Sequence, residues 1–181
     1  MNHKEFYINC PRCQKNIKIK VIDEMDETKF NEVISKKIFK FKCNYCKNEI
    51  QIDYPTTFIG KNYIVSYKTK SKKSDYEYLR ICNDFDDFKE KLLIFSHNLN
   101  DILIEFIKDY LRKNIEDNTI DIRFDSINDD VLVFYMMEKD KYIGFKMEQY
   151  QQLLNHSKIK KINNFKEINN HNYYKYIKVR K

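Results

Sequence analysis

Five cysteines stand in this 181-residue chain, and four of them fall into two identical short motifs. Two residues separate Cys10 from Cys13 and Cys43 from Cys46, and 29 residues lie between the pairs. Two cysteines at that spacing bend round one ion in a tight turn, and two such turns supply the four thiolates of a tetrahedral site. The chemistry this points to is metal ligation, with one zinc ion as the first reading of paired C-x2-C motifs. Four thiolates also hold iron or an iron–sulfur centre. A redox dithiol needs only one C-x2-C, placed beside a βαβ pattern that is not seen along this sequence. Four cysteine ligands leave no open position for water, so the zinc is expected to be structural rather than catalytic. Its binding would contribute on the order of 10 kcal/mol to folding.

The remaining reactive side chains have plainer readings. Cys82 stands alone and reads as a small buried residue. The histidines at positions 3, 97, 156 and 171 show no ligand spacing. Asp86-Asp87 and Asp129-Asp130 fall at a helix start and a turn, where capping and solvation account for them. There is no P-loop, dinucleotide glycine fingerprint or nucleophile elbow. With two glycines in all, a phosphate-cradling loop has little to build from. An enzyme with a site in the C-terminal half is therefore the third reading, behind two binding functions.

Short strands must bring the cysteine turns together. Ile17, Ile19 and Val21 alternate with lysines, as do Phe39 and Phe41, and Ile50, Ile52 and Tyr54 alternate with polar residues. Each pattern has the period of a strand with one buried face. Residues 25–37 look helical through Phe30, Val33, Ile34 and Ile38, with Asp26 as N-cap. Pro55 and Gly60 mark turns, and the polar run 68–75 reads as an exposed loop. Two helices are expected over about 84–116, with Asp84 capping the first and Asn98 or Asn100 the second. Strands return over about 119–147 as an antiparallel meander. A short helix follows from Glu148 to about His156, and Tyr173 to Val179 reads as a strand or a loose tail.

Cys10-Pro11-Arg12-Cys13, followed some thirty residues later by Phe41-Lys42-Cys43-Asn44-Tyr45-Cys46, resembles the CpXC domain family. Ile52-Asp53-Tyr54-Pro55 is similar to that family as well. So, more loosely, are Arg80, the segment Glu90 to Phe95, and Leu99-Asn100-Asp101 leading to Glu105. The likeness covers about residues 6 to 125. Asn44 stands where the family often carries Pro, and Gln14 and Lys47 stand where Gly commonly follows each motif. Glycine there eases a positive φ. The resemblance implies a zinc-binding bacterial or archaeal domain and brings no activity with it.

The net charge of +7 is uneven. Residues 158–181 hold eight Lys/Arg against one acidic residue, which leaves 26 of each sign in residues 1–157. Arg12, Lys15, Lys18, Lys20, Lys40, Lys42 and Lys47 lie beside the cysteine turns or on the polar faces of their strands. If those strands share a sheet, they form a basic face for nucleic acid; the plainer reading is a solvated strand face. The longest apolar run, Val131 to Met137, is far short of a membrane span, and the start of the chain lacks the apolar stretch of a secretory signal. A cytoplasmic protein is expected, with no membrane partner. The expected architecture is α+β. A zinc-ribbon-like β module occupies 1–60, an α+β remainder with the helical pair and antiparallel strands occupies 61–157, and a basic segment occupies 158–181. The first functional reading is a non-enzymatic zinc-binding module that docks a protein. The alternative is a nucleic-acid-binding zinc ribbon.

Overall fold

Ile17, Ile19 and Val21 are buried while Lys18 and Lys20 between them are exposed. This alternation makes Asn16–Asp26 a long strand, β2, paired antiparallel with β1 (Asn2–Asn9). The structure, a computed structural model, describes residues 2–71, 73 and 75–179. It is an α+β chain that divides into two compact units, Met1–Lys89 and Glu90–Lys181.

In the first unit, β2 runs into a 3-10 turn at Glu27–Lys29, capped by the Asp26 carboxylate on the Thr28 amide, and then into α1 (Phe30–Ile34). The helix expected over 25–37 is thus shortened at both ends. Met25 is 1% exposed and paired with Phe58 in the sheet, and Lys36 leaves the helix at φ 59°. Next come β3 (Lys40–Lys42) and β4 (Glu49–Gln51), which form a separate two-stranded hairpin. Phe39, just before β3, is buried against Tyr54, Tyr67 and Phe85 with ring centroids 4.9, 5.9 and 5.4 Å away. That cluster holds the hairpin in place.

β5 (Thr56–Ile59), β6 (Tyr63–Tyr67) and β7 (Tyr78–Cys82) complete a five-stranded sheet in the order β1-β2-β5-β6-β7. β2 and β5 are parallel, which demands a crossover; residues 27–55 supply it and carry the β3–β4 hairpin with them. Sequence periodicity does not reveal β5 to β7. All five residues of β6 are buried, and a strand covered on both faces has no alternation to read. Position 60 falls between β5 and β6, which pair with each other. In the loop at 68–75, Lys72 and Ser74 lie outside the described residues, and Lys68 and Lys73 are ion-paired with Asp53 and Glu24.

The division between units falls within α2 (Phe85–Ser96). The Asp84 side chain accepts from the Asp87 amide at its start. α3 (Asp101–Asn114) is capped by Asn100, whose side chain accepts from the amides of Ile102 and Leu103 at 3.1 Å. The meander follows as β8 (Ile122–Asn128), β9 (Val131–Met136) and β10 (Lys141–Lys146), then α4 (Met147–His156). The C-terminal segment is not a loose tail. β11 (Ser157–Ile159) pairs antiparallel with β12 (Ile177–Val179), and Ile162, Ile168 and Tyr173 between them are buried.

The second unit also buries an ion cluster. Lys108 reaches Glu90 at 3.0 Å and Glu105 at 3.2 Å, Lys91 reaches Glu105 at 3.1 Å and Asp101 at 3.5 Å, and Arg123 stands 3.6 Å from Glu90. Three buried carboxylates thus face two buried lysines and the half-buried Arg123, which also pairs with Asp121 at 2.9 Å. Glu90 also accepts from the Phe124 amide at 2.6 Å, tying α2 to β8. Burial alone would raise the Glu105 carboxyl, but the ammonium groups of Lys108 and Lys91 outweigh it and hold the carboxyl below its ordinary value. A depressed carboxyl stabilises the fold above the unfolded carboxyl range, near pH 4, and loses that contribution as pH falls through the folded value. Glu105→Gln is expected to cost about 3 kcal/mol at neutral pH, because it strands buried lysine charge. Thermal melts of the two proteins across pH 2–7 check this: the gap should be widest at neutral pH and close in acid.

Candidate metal centre

Each cysteine pair sits in the loop of a hairpin, and the two loops have the same backbone. In the first, which joins β1 to β2, the Gln14 amide donates to the Cys10 carbonyl at 2.8 Å and the Cys10 amide to the Lys15 carbonyl at 3.0 Å. In the second, which joins β3 to β4, Lys47 donates to Cys43 at 3.0 Å and Cys43 to Asn48 at 2.9 Å. Gln14 and Lys47 both have φ 60°. The positive φ that glycine would ease is therefore adopted here by two residues with side chains, at some cost in strain.

The four sulfurs converge. Cys10 and Cys46 lie 3.7 Å apart, Cys13 and Cys43 also 3.7 Å, and all four Sγ atoms fall within 4.8 Å of one another. These separations are too long for disulfides, and all five cysteines of the chain are free. A tetrahedron with sulfurs at the usual Zn–S distance of about 2.3 Å has edges of about 3.8 Å. The four thiols thus have the spacing that a tetrahedral ion requires and can hold one metal ion. Cys10 and Cys43, the first residue of each pair, are buried, and Cys13 and Cys46 are half-buried.

Backbone amides tune the sulfurs. The Cys13 and Arg12 N–H groups lower the Cys10 thiol. The Cys46 and Tyr45 N–H groups hold the Cys43 thiol down at about 6. At Cys13 the Lys15 N–H favours the thiolate, yet burial and the thiols of Cys10, Cys43 and Cys46 prevail and push it up to about 11. Crowded thiolates repel, and a cation at their centre removes that penalty.

The basic candidates do not lie on one sheet. β2 belongs to the five-stranded sheet and β3 to the separate hairpin, so Lys18 and Lys20 do not share a sheet with Lys40 and Lys42. Lys18 pairs with Glu5 at 2.7 Å and Lys40 with Glu49 at 3.0 Å. Arg12 donates to Asn48 at 3.0 Å, Lys15 stands 4.7 Å from the Tyr45 ring centroid, and Lys47 donates to the Asn44 carbonyl at 2.8 Å. The Arg12 and Lys15 contacts each cross from one cysteine loop to the other. The residues that resemble the family beyond the cysteines lie in the framework: Arg80 is buried in β7, and Glu90, Lys91, Asp101 and Glu105 are in the ion cluster. A cleft of about 470 Å³ in the second unit is lined by Phe106, Tyr110, Phe145 and His156 among others, with no carboxylate in its wall. Among the described residues, no helix is long and apolar enough to cross a membrane.

Sequence reasoning missed β1. Phe6 and Ile8 pair with the buried Ile19 and Ile17, although Phe6 itself stays exposed. Alternation of Phe6 and Ile8 with Glu5 and Tyr7 was the available signal, weakened by Tyr7 and the short run.

The chain is an α+β protein whose two hairpins present four converging cysteines able to hold a metal ion. The CpXC protein family model matches residues 8–108, more than half of the chain, and the protein belongs to that family. No curated protein and no solved structure matches it.

Cys43→Ser is expected to abolish stoichiometric metal content and the cooperative melting of the first unit, read by elemental analysis and calorimetry. Gln14→Gly should instead keep the metal and stabilise the fold by about 1 kcal/mol, because the left-handed backbone then carries no Cβ strain. A matching gain is expected for Lys47→Gly.

Proposed function

We propose that this protein is a non-enzymatic binding module, cytoplasmic, in which one structural zinc ion held by Cys10, Cys13, Cys43 and Cys46 fixes a surface that docks another protein. The carrying observation is that the four-sulfur site is complete within itself. Four thiolates fill a tetrahedron and leave zinc no position for water or substrate. Free thiols in this number suit a reducing compartment. A zinc ion with four thiolates carries net charge −2, and Arg12, Lys15 and Lys47 beside it supply compensating charge, which gives these residues a role without nucleic acid.

The docking surface in this reading is β1. Among the described residues it pairs only with β2, so one edge of an eight-residue strand keeps its amides and carbonyls available. Phe6 is 46% exposed, Tyr7 68% and, at the second cysteine loop, Tyr45 57%. An extended peptide adding to such an edge gains main-chain hydrogen bonds for affinity and the aromatic side chains for specificity.

A photo-crosslinking phenylalanine analogue at position 7, used in native cells, is expected to capture a discrete protein. That protein, once purified, should bind the zinc-loaded chain and lose roughly ten-fold or more of its affinity for Phe6→Asp. Phe6→Asp should keep the wild-type zinc content. Equal affinity for Phe6→Asp and wild type overturns the reading.

A further inference from the structure

About half of the described lysines before residue 158 are matched by carboxylates. Lys4 pairs with Asp23 at 2.9 Å, Lys18 with Glu5 at 2.7 Å, Lys40 with Glu49 at 3.0 Å, Lys113 with Asp109 at 2.8 Å and Lys139 with Asp117 at 3.5 Å. The C-terminal hairpin breaks this pattern. In the β11–β12 register Lys158 stands directly opposite Lys178. Like charges facing each other across a strand pair destabilise it. Among the described residues, none of Lys158, Lys160, Lys161, Lys166, Lys175 and Lys178 lies within ion-pair distance of a carboxylate.

The hairpin is nonetheless well built. Strand alternation places Lys158 and Lys178 on one face, and Ile159 and Ile177 on the other; Ile177 is buried. The Lys160 amide donates to the Tyr176 carbonyl at 2.8 Å, and the Tyr173 hydroxyl donates to Asp109 at 2.9 Å, so the segment is anchored to α3. On its outside, Tyr174 is 59% exposed, with the Lys175 ammonium 5.9 Å from its ring centroid. A rigid platform thus carries uncompensated ammonium groups with an exposed aromatic ring nearby.

We propose that this hairpin, through Lys158, Lys160, Lys178 and Tyr174, binds single-stranded nucleic acid. Ammonium groups with no carboxylate of their own suit a phosphate backbone, whose binding releases counterions. Tyr174, exposed in the same segment with the Lys175 ammonium 5.9 Å from its ring, offers a face on which an unpaired base stacks. An anionic membrane fits less well, because interfacial elements insert an apolar face and the isoleucines of this hairpin point inward. The surface lies outside residues 8–108 of the family match, and it does not rest on the metal or protein-docking reading.

The test is fluorescence anisotropy with the full zinc-loaded chain and a labelled oligouridine, titrated over a range of salt. Three phosphate contacts predict a slope of log K against log salt of about −2, at about −0.7 per contact on a single strand. Lys158→Ser/Lys178→Ser should make the slope shallower by about 1.4 while keeping or raising the melting temperature, since the facing charges are gone. Should that variant fail to fold, Lys158→Glu, which places a carboxylate opposite Lys178, should melt higher than wild type and bind more weakly. Tyr174→Ala should weaken binding about five-fold or more, the loss of one base stack. Lys139→Ser/Lys141→Ser, on the meander of the same unit, should bind as wild type. Four results overturn the proposal: no binding to the single strand at low salt, an unchanged slope in the lysine variants, a duplex bound as tightly as the single strand, or binding to phosphatidylserine vesicles in place of RNA.

Discussion

Four thiolates within 4.8 Å of one another are an unfavourable arrangement unless something positive holds them. The local structure of the first unit is organised to create that arrangement. Each cysteine pair turns a hairpin back on itself, and a backbone amide closes each turn onto the carbonyl of its first cysteine. Amide N–H groups aimed at Cys10 and Cys43 make those two thiols the readier thiolates. The two loops also touch through Arg12 on Asn48 and Lys15 over Tyr45. Contacts of this kind at an exposed surface are weak one by one. A metal ion bound there would be a term large enough to keep two separate hairpins at this spacing.

That constraint explains why the second hairpin sits inside a crossover. β2 and β5 run parallel, and the chain must travel between their ends before it can pair them. The detour through α1, β3 and β4 brings Cys43 and Cys46 back to the end of β1 and β2 that carries Cys10 and Cys13. Phe39 then fastens the detour, packed among Tyr54, Tyr67 and Phe85. The cysteine cluster and the aromatic packing lie at opposite ends of the same short hairpin.

The second unit meets a different problem by electrostatic matching. Its cluster of Glu90, Lys91, Asp101, Glu105, Lys108 and Arg123 takes charge out of water, which is costly unless each group has its partner. The cluster joins α2, α3 and β8. Surface ion pairs take up about half of the remaining described lysines before residue 158 and none of those in the C-terminal hairpin, where lysine faces lysine. By sequence, the net charge of the whole chain is carried by residues 158–181, with the rest neutral.

Much of this was legible in the residues themselves. The spacing within and between the two C-x2-C motifs named the ligating cysteines, because a tight turn with two thiols is a local property. Period-two alternation marked β2, and helical stripes with Asp84 and Asn100 as caps marked α2 and α3, because one buried face leaves a pattern along the chain. The strands β5, β6 and β7 left no such pattern, being covered on both sides. The sharing of sheets was also out of reach: Lys18 and Lys40 look alike in sequence, yet they stand in different sheets, each beside its own glutamate. The facing of Lys158 and Lys178 depends on a register set by nineteen intervening residues and their buried isoleucines. Sequence alone determined which atoms could ligate and which segments could be helices. Only the tertiary structure decided which charges meet, because strand pairing joins residues far apart along the chain and local propensity does not specify the partner.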